Sequence, residues 1–387
     1  MIDLSKPDIG KKEIKSVIKV LKSGNLVDGY FQSKSENLIK KILNVRYVAL
    51  TQSCTSALEA ASIIIGLKNN DEVLLPSFTF SSTANAIVMR GAKPVFVDVD
   101  KKNLNIDIED LKKKITKKTK AIFLVHYAGL CTQMEEILKL KKKYNLYVIE
   151  DAAHAFLSKY KGKYLGTFGD ISTFSFHATK NFVGAQGGAL VINNRKLIKL
   201  SDIVLDKGTD RKRFIQFKFK KLKTSIKKNK IYTWQSIGSE YRASEISSAL
   251  VYEQIKRKNL IQNKRKKVWN KYISAFNDLN KNYFSFLDFD NKNIKHSYHL
   301  FPLILKNVKT ANRIIQFLQE RKIFATFHYI PLHLSPFGKK FSIKKLLVTE
   351  NIYKKIVRIP LHSNLTDREV KYIIKNVKVF FNKINKN

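Results

Sequence analysis

Cysteine is nearly absent: Cys54 and Cys131 are the only two in 387 residues, too few for a disulfide framework. Neither stands in a CxxC or a Cys/His cluster, so no metal site is expected. No apolar run approaches the roughly 18–20 residues that cross a bilayer, which excludes a membrane-spanning helix. The opening MIDLSKPDIGKKE lacks the basic-then-apolar layout of a secretory leader, and the expected compartment is the cytoplasm. Internal repeats and low-complexity linkers are missing too. Acidic residues are scarce, with 31 Asp+Glu against 73 Lys+Arg, leaving a formal charge of +42. Such a chain attracts phosphate backbones nonspecifically. Its lysines, however, are scattered among Asn and Ile along the whole length, and only Lys112–Lys120 and Lys220–Lys230 are dense. The second run, KKLKTSIKKNK, reads as a solvent-exposed insertion. With no helix-turn-helix module and no basic-aromatic interleaving, no specific nucleic-acid partner is expected.

What is present is a core-forming chain, 44% hydrophobic, which excludes disorder. Strand-like runs alternate with helical patterns through the first two thirds: VRYVALTQSCT then SALEAASIIIGL, DEVLLPSF then SSTANAIVMRGA, PVFVDVD, AIFLVHYAG, MEEILKLKKKYN and LYVIEDAAHA. That alternation is the βαβ signature of a mostly parallel sheet covered on both faces. DISTFSFHATKNF and GGALVINN predict two shorter strands joined by a glycine-rich loop. After Ser244 the pattern predicts one long amphipathic helix, EISSALVYEQIKRKNLIQNKRKKVWNKYISAF, leading to a smaller α+β unit. The expected division is a large α/β domain over 1–250 and a small domain over 251–387, with the first twenty or so residues packed on the small one.

Four elements carry chemistry. Lys180 follows the strand STFSF and precedes a Gly-rich turn, where partial desolvation would lower its pKa as a Schiff-base nucleophile requires. Asp151 ends the buried strand LYVIE, at the edge where a parallel sheet faces ligands, and could bond a protonated ring nitrogen. Gln52-Ser53-Cys54-Thr55-Ser56 opens a helix after a strand and offers free N–H groups to an anion, with the Thr55 hydroxyl beside them. Phe80 could lie flat against an aromatic ring. Plainer readings stand beside each: a surface charge for Lys180, an N-cap for Asp151, simple capping for the turn, core packing for Phe80. Ser175 lies five positions before Lys180, so strand alternation would send the two to opposite faces unless a turn intervenes.

In order along the chain these elements, with the run EDAAHA…GTFGDISTFSFHATKNFVGAQGGALVINN and the segments QSCTSALEAA, LPSFTFSSTANAIVMRGAKPVFVDVD, VHYAGLCTQME, DKGTDRKRF, YTWQSIGSEY and ATFHYIPLH, resemble the DegT/StrS family of nucleotide-sugar aminotransferases. The resemblance spans nearly the whole chain. It implies the fold-type-I transferase architecture of aspartate aminotransferase and pyridoxal 5′-phosphate (PLP) as cofactor. By residue it implies that Lys180 holds PLP covalently, that Asp151 sits on the pyridine nitrogen and His154 beside the ring, that Cys54, Thr55 and Ser175 bind the phosphate, and that Phe80 stacks. It implies a homodimer with active sites between subunits, and a place in surface-polysaccharide (lipopolysaccharide O-antigen) synthesis. The implied reaction moves an amino group from L-glutamate to the C4 ketone of dTDP-4-dehydro-6-deoxyglucose, giving dTDP-4-amino-4,6-dideoxygalactose and 2-oxoglutarate. Lys180 would be its general base and acid. A 3-aminotransferase is the alternative; the dehydratases of this family carry His in place of the lysine and are set aside. Lys207, Arg211, Lys212 and His328 are candidates for the nucleotide diphosphate. Two departures stand out: Cys54 where a glycine is commoner, and Glu240 where many members place an Asn that reaches the neighbouring subunit's cofactor phosphate.

Overall fold

The structure, a computed structural model, describes residues 1–211, 232–279 and 282–384. Helices Lys11–Ser23 (α1) and Tyr30–Leu43 (α2) precede a βα series. The series runs Tyr47–Thr51 (β1), Cys54–Ile64 (α3), Glu72–Pro76 (β2), Ser81–Val88 (α4), Lys93–Val97 (β3), Thr119–Val125 (β4) and Tyr147–Asp151 (β5). After the short pair Lys159–Tyr160 (β6) and Lys163–Tyr164 (β7) come Ile171–Ser175 (β8) and Gly188–Ile192 (β9). Seven strands form one sheet in the order β1-β9-β8-β5-β4-β2-β3, and β9 alone runs against its neighbours. The exception has a local cause. The segment from Phe176 to Gly187 contains no crossover helix, and antiparallel return is what a short connection permits. The strands β8 and β9 are five residues each, like most of the sheet, and so are not the shorter strands that the sequence predicts.

The two faces follow from period-two alternation. Val48, Leu50, Leu74, Ile122, Leu124, Val148 and Val191 join one apolar cluster. Their neighbours Tyr47, Ala49, Val73, Leu75, Phe123, Ile149 and Ile192 join another. Each fully buried Val, Leu or Ile contributes about 1.5–3 kcal/mol, and burial on both sides explains why these strands are continuously apolar. All the parallel strands end on one edge, where Pro76, Val125, Asp151 and Ser175 lie.

A second lobe is built on the antiparallel sheet of Phe284–Ser285 (β10), Phe301–Leu305 (β12) and Ile356–Ile359 (β13), while Ile294–Lys295 (β11) joins β6. Helices Lys258–Phe276, Val308–Glu320 and Asp367–Ile384 pack on it in one aromatic-rich cluster around Trp269, Tyr272, Phe276, Phe301 and Phe381. Of the first twenty or so residues expected here, only the first few arrive, while α1 packs through Val17 and Val20 on Phe31, Ile246 and Ala249. Ile2 bridges Ile323, and Asp8 pairs with Arg257 and Lys264 at 2.8 and 3.1 Å. The single helix expected after Ser244 is two, Glu245–Lys256 and Lys258–Phe276, broken at Arg257. At the break the Arg257 guanidinium reaches Glu13 at 2.6 Å and Asp8, contacts that no amphipathic pattern reveals. Among the described residues no helix is long and apolar enough to cross a membrane, and no His/Cys/Asp/Glu group could hold a metal.

Candidate active site

A cavity of about 530 Å³ opens at the carboxyl edge of the large sheet, where the second lobe meets it. Each wall comes from a strand end. At the end of β5 the Asp151 carboxylate accepts from the Thr83 hydroxyl at 2.8 Å and from the Ala153 amide at 3.2 Å. Burial raises its pKa, and the Thr83 and Ala153 donors and the Lys180 charge oppose the rise. An anion so desolvated gains most from a cation placed against it. Behind it, fully buried Glu150 accepts three backbone amides, from Gly166, Phe168 and Gly169, and meets His126 at 2.8 Å. Those donors outweigh burial and hold the Glu150 carboxyl below its ordinary value. They also pin the β5 end against the segment that leads into β8.

Lys180 reaches the cavity because β8 stops at Ser175. Beyond it Phe176 donates to the Gly187 carbonyl, Gly184 to the Phe176 carbonyl, and Lys180 to the His177 carbonyl at 2.8 Å. This closed loop supplies the turn that lets Ser175 and Lys180 line one cavity despite their spacing. Desolvation brings the Lys180 amine down to about 8, opposed by Cys54 and Asp151 and assisted by Arg358.

At the start of α3, Ser53 caps the helix by accepting from the Ser56 amide at 3.0 Å. Helix geometry leaves the Cys54 and Thr55 amides without intrahelical acceptors, at the positive end of the dipole. The Thr55 hydroxyl meets Ser82 at 2.8 Å. Gly188 is what lets β9 come so close: a Cβ there would lie 2.4 Å from the Ser53 carbonyl carbon. Burial raises the Cys54 thiol far above its ordinary pKa, so it stays a thiol and only its amide can serve an anion.

His154 lines the cavity, and its buried Nδ1 has no hydrogen-bond partner. Its ring lies 4.3 Å from that of His299 at an interplanar angle of 34°. The Nδ1 of His299 meets the Asn181 oxygen at 2.8 Å while the Asn181 amide nitrogen donates to the Ser297 carbonyl. Burial first pushes both imidazoles well below their ordinary range, helped at His154 by the charge of Lys180 and at His299 by His154 and then Lys180, so both are neutral. Phe80 stands at the rim, 58% exposed and 6.1 Å from the Tyr329 ring.

Lys180, Asp151, His154, Cys54, Thr55, Ser175, Phe80 and His328 therefore share one cavity. The candidates for the nucleotide diphosphate fare differently from the rest. Lys207 and Arg211 are absent from its walls and already carry carboxylates: Lys207 pairs with Glu240 and Asp206, Arg211 with Asp206 and Asp28. Lys212 lies outside the described residues, as does Lys220–Lys230. His328 is present but not as a cation, because burial and neighbouring Arg358 bring its pKa down to about 4. Its Nδ1 accepts from the Arg358 guanidinium at 2.8 Å. The expected cation at that wall is thus Arg358, which sequence reasoning passed over, as it did His299 and Thr83. Glu240, expected to repel a phosphate, has its charge met by Lys207.

A buried amine that is partly neutral, a desolvated carboxylate awaiting a cation, an anion seat and an orphaned imidazole nitrogen fit an aldehyde-bearing, phosphorylated pyridine. The comparisons agree. The sequence profile of the DegT/DnrJ/EryC1/StrS aminotransferase family matches residues 7–378. GDP-perosamine synthase of Escherichia coli O157:H7 is 30% identical over 382 residues, 98% of this chain and 98% of its own length. PseC of Helicobacter pylori, an aminotransferase involved in the biosynthesis of pseudoaminic acid, superposes with a TM-score of 0.89 at 30% identity, covering 99% of each chain. Spr1654 of Streptococcus pneumoniae, solved in a PLP form, superposes with a TM-score of 0.88 at 26% identity over 99% of each chain. A second structure of that protein holds PMP.

Proposed function

The chain belongs to the DegT/DnrJ/EryC1/StrS aminotransferases, PLP-dependent enzymes that act on sugars, and on that premise we propose that it moves an amino group from L-glutamate to C4 of dTDP-4-dehydro-6-deoxyglucose. The products are then dTDP-4-amino-4,6-dideoxygalactose and 2-oxoglutarate. One observation carries the reading: Lys180 and Asp151 face a single cavity with an anion-binding helix start on its wall. Lys180 in the lysine position favours amino transfer over dehydration. When bound, PLP supplies the electron sink and carries the amino group from donor to acceptor.

The protein's own residues do the rest. Lys180 Nζ would hold the cofactor and, once the donor's amine has displaced it there, its freed amine would take the proton from the donor's α-carbon and return it as an acid. Its depressed pKa, about 8, suits both roles near neutral pH. Asp151, fixed by Thr83 and Ala153, keeps the ring nitrogen protonated. The Cys54 and Thr55 amides with the Thr55 and Ser175 hydroxyls hold the phosphate. His154, backed by His299, lies beside the ring, and neutral imidazoles add no charge to oppose the pyridinium. Phe80 covers the ring from the rim. The exposure of Phe80, Phe327 and Ile330 (58, 41 and 55%) supports a second copy of the chain closing the mouth, in a homodimer. The product serves a surface polysaccharide such as a lipopolysaccharide O-antigen, made in the cytoplasm; a Bacillus subtilis relative, 32% identical, is named a spore coat polysaccharide biosynthesis protein.

The nucleotide and the carbon aminated are tested together. Purified enzyme is supplied with L-glutamate and the 4-keto and 3-keto sugars of dTDP, GDP and UDP in turn, and products are identified by NMR. The expected outcome is a 4-amino sugar from the dTDP compound. Exclusive 3-amination, or turnover of only the GDP or UDP sugar, overturns the assignment while leaving amino transfer intact.

A further inference from the structure

The wall that carries His328 and Tyr329 into the cavity is the run 327–331, which has no regular structure. At one end it is held by the bridge between Thr326 and Arg358. At the other it meets Ser77, the residue after β2 at the carboxyl edge of the large sheet. The Leu332 amide donates to the Ser77 carbonyl at 2.9 Å, and the His333 amide to Ser77 Oγ at 3.1 Å. His333 Nδ1 meets the same Oγ at 2.6 Å. Its Nε2 lies 3.2 Å from Glu350 Oε1, which also accepts from the Leu346 amide at 3.0 Å. Glu350 stands on the helix Leu347–Tyr353, whose first turn is tied to the large sheet as well. Asp98, next after β3, accepts from the Val348 and Thr349 amides at 3.0 and 2.8 Å and from Thr349 Oγ1 at 2.6 Å.

The protons along this chain of contacts have one consistent arrangement. Burial would raise the Glu350 carboxyl, but His333 and the Leu346 amide outweigh it and hold it below its ordinary value. A carboxylate only accepts, so His333 carries a proton on Nε2 and donates it to Glu350. In that tautomer Nδ1 is the acceptor and takes the Ser77 hydroxyl proton, while Ser77 Oγ accepts from the His333 amide. The order Ser-His-Glu is that of a hydrolase, but Ser77 is 0% exposed, which keeps any substrate from its Oγ. A buried network whose members satisfy one another fixes a single geometry instead.

That geometry reaches the cavity through Tyr329. Its ring packs 6.0 Å from Phe78, the neighbour of Ser77, and 6.1 and 6.4 Å from Phe80 and Tyr127. Its hydroxyl lies 3.5 Å from His154 Nε2. Between the two anchors the backbone of the run has two hydrogen bonds among the described residues, both long. The Thr326 hydroxyl reaches the Phe327 carbonyl at 3.4 Å and the Tyr127 hydroxyl the His328 carbonyl at 3.3 Å. The firm anchor on the side of Tyr329 is therefore Ser77.

We propose that Ser77, His333 and Glu350 form a positioning relay for the amino transfer, setting Tyr329 against His154 so that the second lobe meets the carboxyl edge in one working geometry. None of the three lines the cavity. The role rests on the aminotransferase reading above.

The test uses holoenzyme and the variants Ser77→Ala, Glu350→Ala, Glu350→Gln and Tyr329→Phe, with Ser77→Ala also combined with Tyr329→Phe. In the half-reaction with L-glutamate, followed by the visible band of the cofactor, the maximal rate should fall about 10- to 100-fold in Ser77→Ala and Glu350→Ala, the effect that a displacement of about 1 Å produces. Glu350→Gln keeps an oxygen for the His333 Nε2–H and should stay within about threefold of wild type. PLP affinity in the Ser77 and Glu350 variants should also stay within about threefold, because Lys180, Asp151 and the start of α3 stand on other strand ends. The combined variant should be at most about twofold slower than Tyr329→Phe alone, since the relay acts through that side chain. A readout independent of turnover is amide exchange by mass spectrometry, which should quicken about tenfold over 327–334 in Ser77→Ala. Unchanged rates in Ser77→Ala and Glu350→Ala overturn the proposal. So do losses that add in the combined variant, or a fall in PLP affinity as large as the fall in rate, which would make the three residues supports of the fold alone. If wild type takes an amino group from no donor, the aminotransferase reading falls by itself, and exchange unchanged by Ser77→Ala is then the result that overturns the relay.

Discussion

The lysine pKa can be read directly from the rate at which cofactor-free protein captures PLP, because only the neutral amine attacks an aldehyde. With a pKa of about 8, about a quarter of Lys180 is unprotonated at pH 7.5, against about 0.1% for a lysine at the ordinary 10.5. The buried site therefore presents roughly 240 times more nucleophile at that pH. The assay is stopped-flow appearance of the visible band from pH 6.5 to 10.5, with Lys180→Ala as the control that should give none. The rate should climb tenfold per pH unit and level off above about 8. Two substitutions fix the cause. Asp151 raises the Lys180 pKa, so Asp151→Asn should move the inflection down; Arg358 lowers it, so Arg358→Met should move it up. A rate still rising with unit slope through pH 10, or inflections displaced in the opposite senses, would refute the argument that burial and these two charges set the amine.

Asp151→Asn should also weaken PLP binding about 10- to 100-fold in equilibrium dialysis, the worth of a hydrogen bond to a charged group; equal affinity would remove the carboxylate from the ring nitrogen. Glu150→Gln sets an amide among three backbone donors and His126, and should cost about 3 kcal/mol in urea unfolding. Since the Glu150 carboxyl is held below 4.5 when folded, its contribution is present above that pH and is lost as pH falls further, so wild type and variant should converge in acid. Gly188→Ala drives a Cβ into the Ser53–Cys54 peptide, and PLP affinity should fall at least tenfold, a loss larger than its effect on unfolding predicts; a variant that unfolds more easily but keeps its affinity would show that the peptide is not the phosphate seat.

The sheet was legible because its strands are buried on both faces and read as unbroken apolar runs, AIFLV and LYVIE among them. The carboxyl-edge position of Asp151 follows from the same pattern, and the Gly-rich turn after STFSF marks Lys180. The break at Arg257 was not legible, since both halves keep helical periodicity and the carboxylates that meet Arg257 there lie about 250 residues away in sequence. Lys207 and Arg211 looked like phosphate ligands until Asp28, Asp206 and Glu240 folded against them. Arg358 failed in the other direction. It is one basic residue among 73, and what distinguishes it is its place on the cavity wall, a property of tertiary placement.

The large surplus of surface lysine and the chemistry of the cavity are separable for a physical reason. Charges on solvated faces are screened beyond about 8–10 Å at ordinary salt, whereas the groups at the carboxyl edge act on one another with little solvent to intervene. There each charge state depends on the others. His154 and His299 are neutral because they are buried beside Lys180, which leaves Asp151 as the cavity's anion and Lys180 and Arg358 as its titrating and fixed cations. Arg358 pushes the lysine toward neutrality, and any anion bound against Arg358 would relax that push and return basicity to Lys180. The strength of the base is thus coupled to the charge at Arg358, a coupling that added salt should leave largely intact while it abolishes nonspecific anion binding at the surface.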